Sequence, residues 1–594
     1  MRIKLLLFGF TAFWLLLLVK IYYISIKSNV YYEEMAKQNS IKVKDLPPSS
    51  GAILDIKGKP LSVNKLGFSI GIKPHLSNSR KKELLQREIE FLLANIKGLD
   101  AEKIRKIYRK RDSLYSHKFV KVIDFISHDE LISDFSKLSL RENLEINIAS
   151  MRYYPYENIA SHIIGYVAKA SQKDEEKNPI AKLTGYIGRT GIEKYYNSVL
   201  AGKKGIHKTR VTAFNEELED IEKILPVSND IKLSLDLELQ QYITKIFEGK
   251  NGAVVVMNAR NGKIVAAGSF PEYNLNQFVT GISHKEWNKL TSDFNHPFTN
   301  KLINGLYPPG SVVKMGIALA LLDSGLVTPK TSHYCTSNFE LGGRNFRCWK
   351  RSGHGKTELI KAIRESCDDY FYKTSLKVGI DRIAPVLIDL GFATKTGVDL
   401  PGEFVGTVPS RSWKMQKFQK PWYQGETLIS SIGQGYFLST PLQVAKHTAL
   451  LATGYAVTPH FIQSVGGLNV DYGKKDTLSS RQKRNLPLIR KAMREVIVHP
   501  KGTGKRYIKT KINIAGKTGT AQVVGIPQSE KIRMKESELK YYHRSHAWFT
   551  TYGPYKDPQY VVTVMVEHGG HGGQAAGGVI SKIYDKLSEM GYIK

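Results

Sequence analysis

The 594-residue chain is poor in cysteine, with three in all. A disulfide-built scaffold of this size is excluded, and an odd number cannot all pair internally. Acidic side chains are also scarce: Asp+Glu 54 against Lys+Arg 87 leaves a formal net charge of +33. A mean hydropathy of -0.27 excludes a multi-span membrane protein, and 42% hydrophobic residues exclude a disordered polar tail. The sequence has no internal repeat, no low-complexity tract and only one long apolar run. Zinc-finger spacing is missing, and the aromatic residues do not cluster with the basic runs. The positive charge therefore suits an anionic membrane surface better than nucleic acid.

The apolar run is at the start. Arg2 and Lys4 precede a stretch from Leu5 to Ile26, which as a helix spans roughly 30 Å, the thickness of a hydrocarbon core. The continuation, Lys27 to Tyr32, is bulky and polar and has no A-x-A pattern. The segment thus reads as an uncleaved anchor and not as a signal peptide. Its basic N-terminus predicts a cytoplasmic start, with the rest of the chain outside.

After the anchor, KDLPPSSGA (44–52) reads as a linker or turn. Residues 53–75 suggest short strands. Leu84, Leu85, Ile89, Leu92, Leu93 and Ile96 recur at helical spacing within Ser77 to Leu99, and Ala101 to Arg111 is a second, very basic helix. Its basic face reads as solvated surface; contact with lipid head groups or an acidic partner is the other reading. A new pattern begins near Asp230, with a strand over Ile231 to Leu235 and a helix over Asp236 to Glu248. The strand Gly252 to Asn258, the turn Asn261-Gly262 and the strand Lys263 to Ser269 follow. A helix-rich middle precedes further strands over Ile512 to Val524 and Tyr560 to Glu567. That order predicts an α+β or α/β domain whose sheet has interleaved connections.

Within this domain lies Tyr307-Pro-Pro-Gly-Ser311-Val-Val-Lys314, followed by MGIALALLDSG. The prolines and Gly310 prevent helix before Ser311, and Gly325 suits a C-cap, so Ser311 is expected at a helix N-terminus that favours negative charge on its oxygen. Lys314 falls on the same face, within reach. The helix is apolar almost all round and hence buried, and burial favours the neutral amine that activates a serine. The bare S-x-x-K string also occurs at Ser62, Ser79, Ser480 and Ser537, none of them before a buried helix.

S-x-x-K acts with an S-x-N or S-D-N element and a K-T-G element in serine enzymes that β-lactams acylate. Ser366-Cys367-Asp368 is the candidate second element, expected inside a helical stretch from Glu358 to Val378, with a carboxylate in place of the amide. K-T-G occurs at Lys395 and at Lys517. The first runs into the turn-rich VDLPGE, where its lysine is solvated. The second, INIAGKTGTAQVV, is flanked by β-like runs and suits an edge strand approached by a substrate backbone. Lys517, Thr518, Gly519 and Thr520 are therefore the candidates.

Cys335, Cys348, His354 and Cys367 fall in one window. Three thiolates and an imidazole make a closed tetrahedral zinc set that would brace the second element from behind. The alternative is a Cys335–Cys348 disulfide with Cys367 as a buried thiol. His568 and His571, in EHGGHGGQAAGG, read as members of a glycine-rich loop, and His162 and His207 as structural or surface residues.

With these motifs in order, the chain resembles the class B penicillin-binding proteins, most of all their elongation-type branch, penicillin-binding protein 2. SGAILDIKGKPLS (50–62), with Ser50 where an arginine is usual, RYYPYENIASHIIGY (152–166) and GYIGRTGIEKYYNSVLAGKKG (185–205) resemble the family's pedestal motifs. KPWYQGETLISSIGQGYFLSTPLQ (420–443) and HAWFTTYGP (546–554) resemble its catalytic-domain motifs. The resemblance implies an anchor over 1–27, a β-rich, α+β pedestal of the dimerisation type over 28–228, and over 229–594 a transpeptidase domain of the serine β-lactamase-like fold. It implies a peptidoglycan D,D-transpeptidase of the inner membrane, with its catalytic domain periplasmic, that β-lactams inhibit. Ser311 would attack the D-Ala–D-Ala bond of a stem peptide, and Lys314 would take its proton or share that work with Ser366. Lys517 and Thr518 would hold the terminal carboxylate, Thr520 the substrate backbone, and the N–H groups of Ser311 and Thr520 the oxyanion. An amine of a second stem peptide would resolve the acyl-enzyme. Some members carry zinc in the region of the cysteines; the acyl transfer itself needs no cofactor. Implied partners are a SEDS-type, RodA-like glycosyltransferase and an MreC-like periplasmic scaffold. A D,D-carboxypeptidase, or a β-lactam sensor or scaffold of the same fold, is the alternative.

Overall fold

The computed structural model describes residues 2–27, 41–77, 81–212, 217–525 and 535–593. The start of the expected pedestal, 28–40, and the serine of the Ser79 string lie outside them. The chain divides into two compact units, one of residues 1–50, 170–186 and 201–228, the other of 51–169, 187–200 and 229–594.

In the first unit, the helix Arg2–Tyr22 is followed by a π-helical turn Tyr23–Lys27. The span Arg2–Ile26 is long and apolar enough to cross a membrane, and none of its most apolar window is buried. The same unit holds an antiparallel sheet of Ile41–Leu46, Gly205–Val211 and Glu217–Ile224 in that order. Opposite charges face each other across it, as in Lys208–Glu222 at 2.6 Å, and His207 Nε2 lies 2.7 Å from Asp220 Oδ1.

The second unit begins with Ile53–Leu54 and one long strand, Pro60–Ile72, instead of several short ones. The long strand pairs with Val120–Ser127 and Leu144–Tyr153. The helices Lys82–Asn95 and Ala101–Arg111 close its core, where Ile70, Ile72, Ile89, Leu92 and Tyr108 are buried together. Asp100 caps the basic helix by accepting from the N–H groups of Glu102 and Lys103. Three pedestal motifs meet at buried Glu193, which pairs with Arg152 at 2.7 Å and accepts from Ser62 Oγ and Tyr154 Oη. Arg152 also donates to the carbonyl of Gly51. Removing one partner would leave a buried charge uncompensated, at a cost of roughly 3–5 kcal/mol.

The catalytic region is built on an antiparallel sheet of β1 (Gly252–Asn258), β2 (Ile264–Phe270), β3 (Ala515–Ala521), β4 (His546–Gly553) and β5 (Tyr560–Val566), in the order β2-β1-β5-β4-β3. The central strands β1 and β5 are buried on both faces, which explains their unbroken apolar runs. On β4 the adjacent residues Thr550 and Thr551 point to opposite faces. Thr550 is hydrogen-bonded to Thr448 in the helix Pro441–Thr453, and Thr551 to Tyr584 in the helix Gly572–Glu589. The sheet is therefore covered on both sides, and β3, which carries the second K-T-G, is left at an edge.

Candidate active site

The turn that carries Ser311 comes first. Gly310–Val313 forms a 3-10 turn that leads into α1 (Lys314–Asp323), so Ser311 sits one turn before the α-helix proper. Every residue of α1 from Lys314 to Leu322 is buried, as its apolar composition requires. Gly310 has φ +56°, and a Cβ there would come 3.0 Å from the carbonyl oxygen of Thr520. Its N–H donates to the carbonyl of Gly433 at 2.9 Å. Gly519 is just as confined: a Cβ on it would come 3.0 Å from Val312 Cγ1 and 3.2 Å from the oxygen of Pro309. Two glycines thus let the Ser311 turn and the edge strand touch backbone to backbone. Ser311 is partly exposed, and its hydroxyl has no hydrogen-bond partner among the described residues.

The second element corrects the expectation of a continuous helix from Glu358 to Val378. The chain forms Leu359–Arg364, breaks, and resumes as α2 (Asp368–Val378). Ser366 lies in the break at φ +55°. The break has a chemical consequence, because it turns Ser366 Oγ toward two lysines. Lys314 Nζ donates to Ser366 Oγ at 3.4 Å and to its carbonyl at 3.1 Å, and Lys517 Nζ donates to Ser366 Oγ at 2.9 Å. Lys314 is not alone in an apolar slot: its Nζ forms an ion pair with Asp368 Oδ1 at 2.6 Å. The other oxygen, Asp368 Oδ2, accepts the Trp349 N–H at 2.9 Å. Burial pushes the Asp368 carboxyl up, while the Lys314 charge opposes it. Burial drives the Lys517 amine well below the ordinary lysine range, helped by the charge of Lys314.

The two K-T-G copies separate cleanly. Lys395 is exposed, whereas Lys517 is fully buried on β3. Thr518 Oγ1 lies 2.7 Å from Thr503 Oγ1, and the Thr520 carbonyl accepts from Gln434 Nε2 at 3.4 Å. Thr503, Gln434 and Trp349 were not singled out from the sequence. Gln434 was within reach as part of SIGQG, but Thr503 and Trp349 carry no local signal.

The cysteine window also comes together. Cys335 ends the strand Ser332–Cys335, which pairs with Gly355–Glu358, and Cys367 occupies the helix break. The ligand atoms of Cys335, Cys348, His354 and Cys367 all lie within 4.8 Å of one another, and all four residues are buried. The cysteines are free, so the Cys335–Cys348 disulfide is not formed. His354 Nδ1 lies 3.4 Å from Cys348 Sγ and 3.6 Å from Cys335 Sγ. Hydrogen bonding within the cluster, first with Cys367, pulls the Cys335 and Cys348 thiols down, while the Cys367 thiol is pushed up in turn. His568 and His571 form no such group: His568 packs beside His546, and His571 is exposed. His162 is buried with Nε2 2.6 Å from the Pro297 carbonyl, and His207 belongs to the charged sheet of the first unit.

A free serine hydroxyl before a buried helix, and a second hydroxyl shared by two lysines under a glycine-lined edge strand, define a serine acyl-transfer enzyme. Comparison with known proteins agrees with that class. A family model described as the penicillin binding protein transpeptidase domain matches residues 252–587, and one described as the penicillin-binding protein dimerisation domain matches residues 45–233. The peptidoglycan D,D-transpeptidase MrdA of Haemophilus influenzae is 34% identical over 589 residues, covering 96% of this chain and 88% of the relative. The MrdA of Escherichia coli K12 is 33% identical, covering 96% and 91%. Among solved structures, penicillin-binding protein 2 of Helicobacter pylori in complex with MreC has a TM-score of 0.86 at 42% identity, covering 93% of this chain and 99% of that one. The chain belongs to the penicillin-binding proteins, in the penicillin-binding protein 2 family of peptidoglycan D,D-transpeptidases.

Proposed function

We propose that the protein cross-links peptidoglycan during cell elongation, with Ser311 as nucleophile. The observation that carries this reading is the Ser366 hydroxyl, held by Lys314 and Lys517 together, which joins all three motifs. Ser311 Oγ attacks the carbonyl carbon of the penultimate D-Ala of a donor stem peptide. Once its own extra proton has passed to Asp368 Oδ1, 2.6 Å away, Lys314 withdraws the Ser311 proton, and Ser366, bonded to both lysines, relays a proton to the departing D-Ala amine. The edge strand β3 receives the substrate backbone, with Thr518 and Lys517 at its carboxylate. The N–H groups of Ser311 and Thr520 serve the oxyanion, a contribution of roughly 3–4 kcal/mol in such sites. An acceptor amine then attacks the acyl carbon and frees Ser311.

Residues 28–228 serve as pedestal and 229–594 as catalytic domain. The first helix holds the protein in the inner membrane, its N-terminus cytoplasmic and the catalytic domain periplasmic. A relative of this family is complexed with MreC, which supports an MreC-like scaffold as partner here, beside a SEDS-type, RodA-like glycosyltransferase. The donor set of Cys335, Cys348, His354 and Cys367 suits structural zinc: the four ligand atoms lie within 4.8 Å of one another, and His354 turns Nδ1 toward two of the sulfurs. Zinc there would hold the strand pair Ser332–Cys335 and Gly355–Glu358 onto the helix break at Cys367.

The experiment is covalent labelling with fluorescent penicillin. Wild-type protein should label and Ser311→Ala should not; label surviving in Ser311→Ala would sink the assignment. Comparing hydrolysis with amine transfer on a D-Ala–D-Ala stem peptide separates this reading from a carboxypeptidase.

A further inference from the structure

Lys301 lies ten residues before the nucleophile and belongs to none of the three motifs, yet it is 2% exposed. Its Nζ donates to the carbonyls of Phe270 at 2.7 Å and Asn295 at 2.8 Å, and pairs with Glu567 Oε2 at 2.8 Å. Three donors meet three acceptors, so the ammonium is saturated. The other oxygen of Glu567 accepts the Tyr307 hydroxyl at 2.7 Å. Tyr307 opens the segment YPPGS. Its backbone exchanges hydrogen bonds with Ser439 at 3.0 and 2.9 Å, and two prolines stiffen the step from it to Gly310.

The Tyr307 ring faces the other side of the site. It packs edge-on against His546 at 5.2 Å and Trp548 at 6.2 Å. Those two residues lie on β4, in register with Ala521 and Gly519 of β3. One side chain therefore links the nucleophile turn to the strand pair that carries Lys517 to Thr520. Between turn and strand there is no slack, as the confinement of Gly310 and Gly519 shows. A buried Lys–Glu pair gains little stability over apolar residues of equal size. An apolar residue could fill the space of Lys301 but could not hold Glu567 in the orientation that Tyr307 requires.

We propose that Lys301 and Glu567 are positioning residues for acylation, acting through Tyr307 to fix the nucleophile turn against the substrate strand. This rests on the reading of Ser311 as nucleophile. Displacing a reacting atom by about 1 Å costs on the order of a hundredfold in rate.

The test uses full-length protein in detergent and fluorescent penicillin, resolving the first-order acylation constant from the preceding dissociation constant. The acylation constant does not depend on how much protein is folded, so a merely structural role would leave it unchanged. Tyr307→Phe, which removes one hydroxyl, should lower it by about tenfold or more, with the dissociation constant within about threefold of wild type. Glu567→Gln and Lys301→Met should do the same. Because the three act through one contact, the losses in Tyr307→Phe/Glu567→Gln should fall well short of multiplying. An acylation constant within about threefold of wild type in Tyr307→Phe overturns the inference, as do losses that multiply in the double variant. If Lys301→Met does not fold, Tyr307→Phe decides. Ser311→Ala separates the two readings: label retained there defeats the nucleophile assignment, while label lost there with an unchanged constant in Tyr307→Phe defeats only the tether.

Discussion

Asp368 shows why a carboxylate can stand where an amide was expected. Both of its oxygens are used as acceptors, one from Lys314 Nζ at 2.6 Å and one from the Trp349 N–H at 2.9 Å. In Asp368→Asn, one of those donors would face an NH2 group, which cannot accept. The lost bond should raise the acylation barrier by about 1–3 kcal/mol, a slowing of roughly 5- to 150-fold. The acylation constant of the folded variant checks this, and a rate equal to wild type would refute it. Ser311, Lys314 and Lys517 were legible because each lies in a short motif whose flanks announce its structure. The left-handed backbone of Ser366 was not, since Glu358 to Val378 carries helix-compatible residues throughout and the break is stabilised by distant partners.

Among the elements, the edge position of β3 could be read from the small residues of AGKTGTA, which leave room for a substrate backbone. The strand pair Ser332–Cys335 and Gly355–Glu358 could not, because its charged, irregular sequence has no clear period. Its place follows from the cysteine and histidine cluster. Protein purified under reducing conditions should contain about one zinc per chain, and stripping it should lower the thermal midpoint. Acylation should slow as well, because Cys348 directly precedes Trp349, whose N–H holds Asp368. Metal analysis with thiol titration decides: under about half an equivalent of zinc, with the thiols oxidised, contradicts the site.

For the whole molecule, buried titratable groups set how stability follows pH. Burial lowers His162, His447 and His546 to about 4. Their contribution is complete above the ordinary histidine value of about 6.5 and is lost as pH falls through about 4. Glu272 is displaced the other way, to about 8, again by burial. It accepts from the Ala160 N–H at 2.7 Å and from Thr244 Oγ1. Its contribution is complete below about 4.5 and is lost as pH rises through 8. Among these four groups, the three histidines add stability as pH rises from 4 to 6.5, and Glu272 alone removes it from 6.5 to 8. Thermal midpoints of wild type and Glu272→Gln check this: between pH 6.5 and 8 the variant should lose less, or gain more, than wild type, and identical pH profiles would refute it. The positive charge of Lys301 adds to burial in lowering His162 and His546.

The sequence by itself determined the membrane-length helix, the buried helix behind Ser311, the apolar strands of the central sheet and the candidates for all three motifs. Each of those follows from short-range rules: hydrophobic period, proline and glycine placement, and capping. Only the tertiary structure decided that Ser366 bridges two lysines, that four metal-ligating side chains converge, and that Lys301 reaches Tyr307 through Glu567. Those meetings depend on pairing strands far apart in the chain and on breaking a helix against its own propensity. No local pattern records them, because the energy that fixes them comes from packing and buried hydrogen bonds between distant segments.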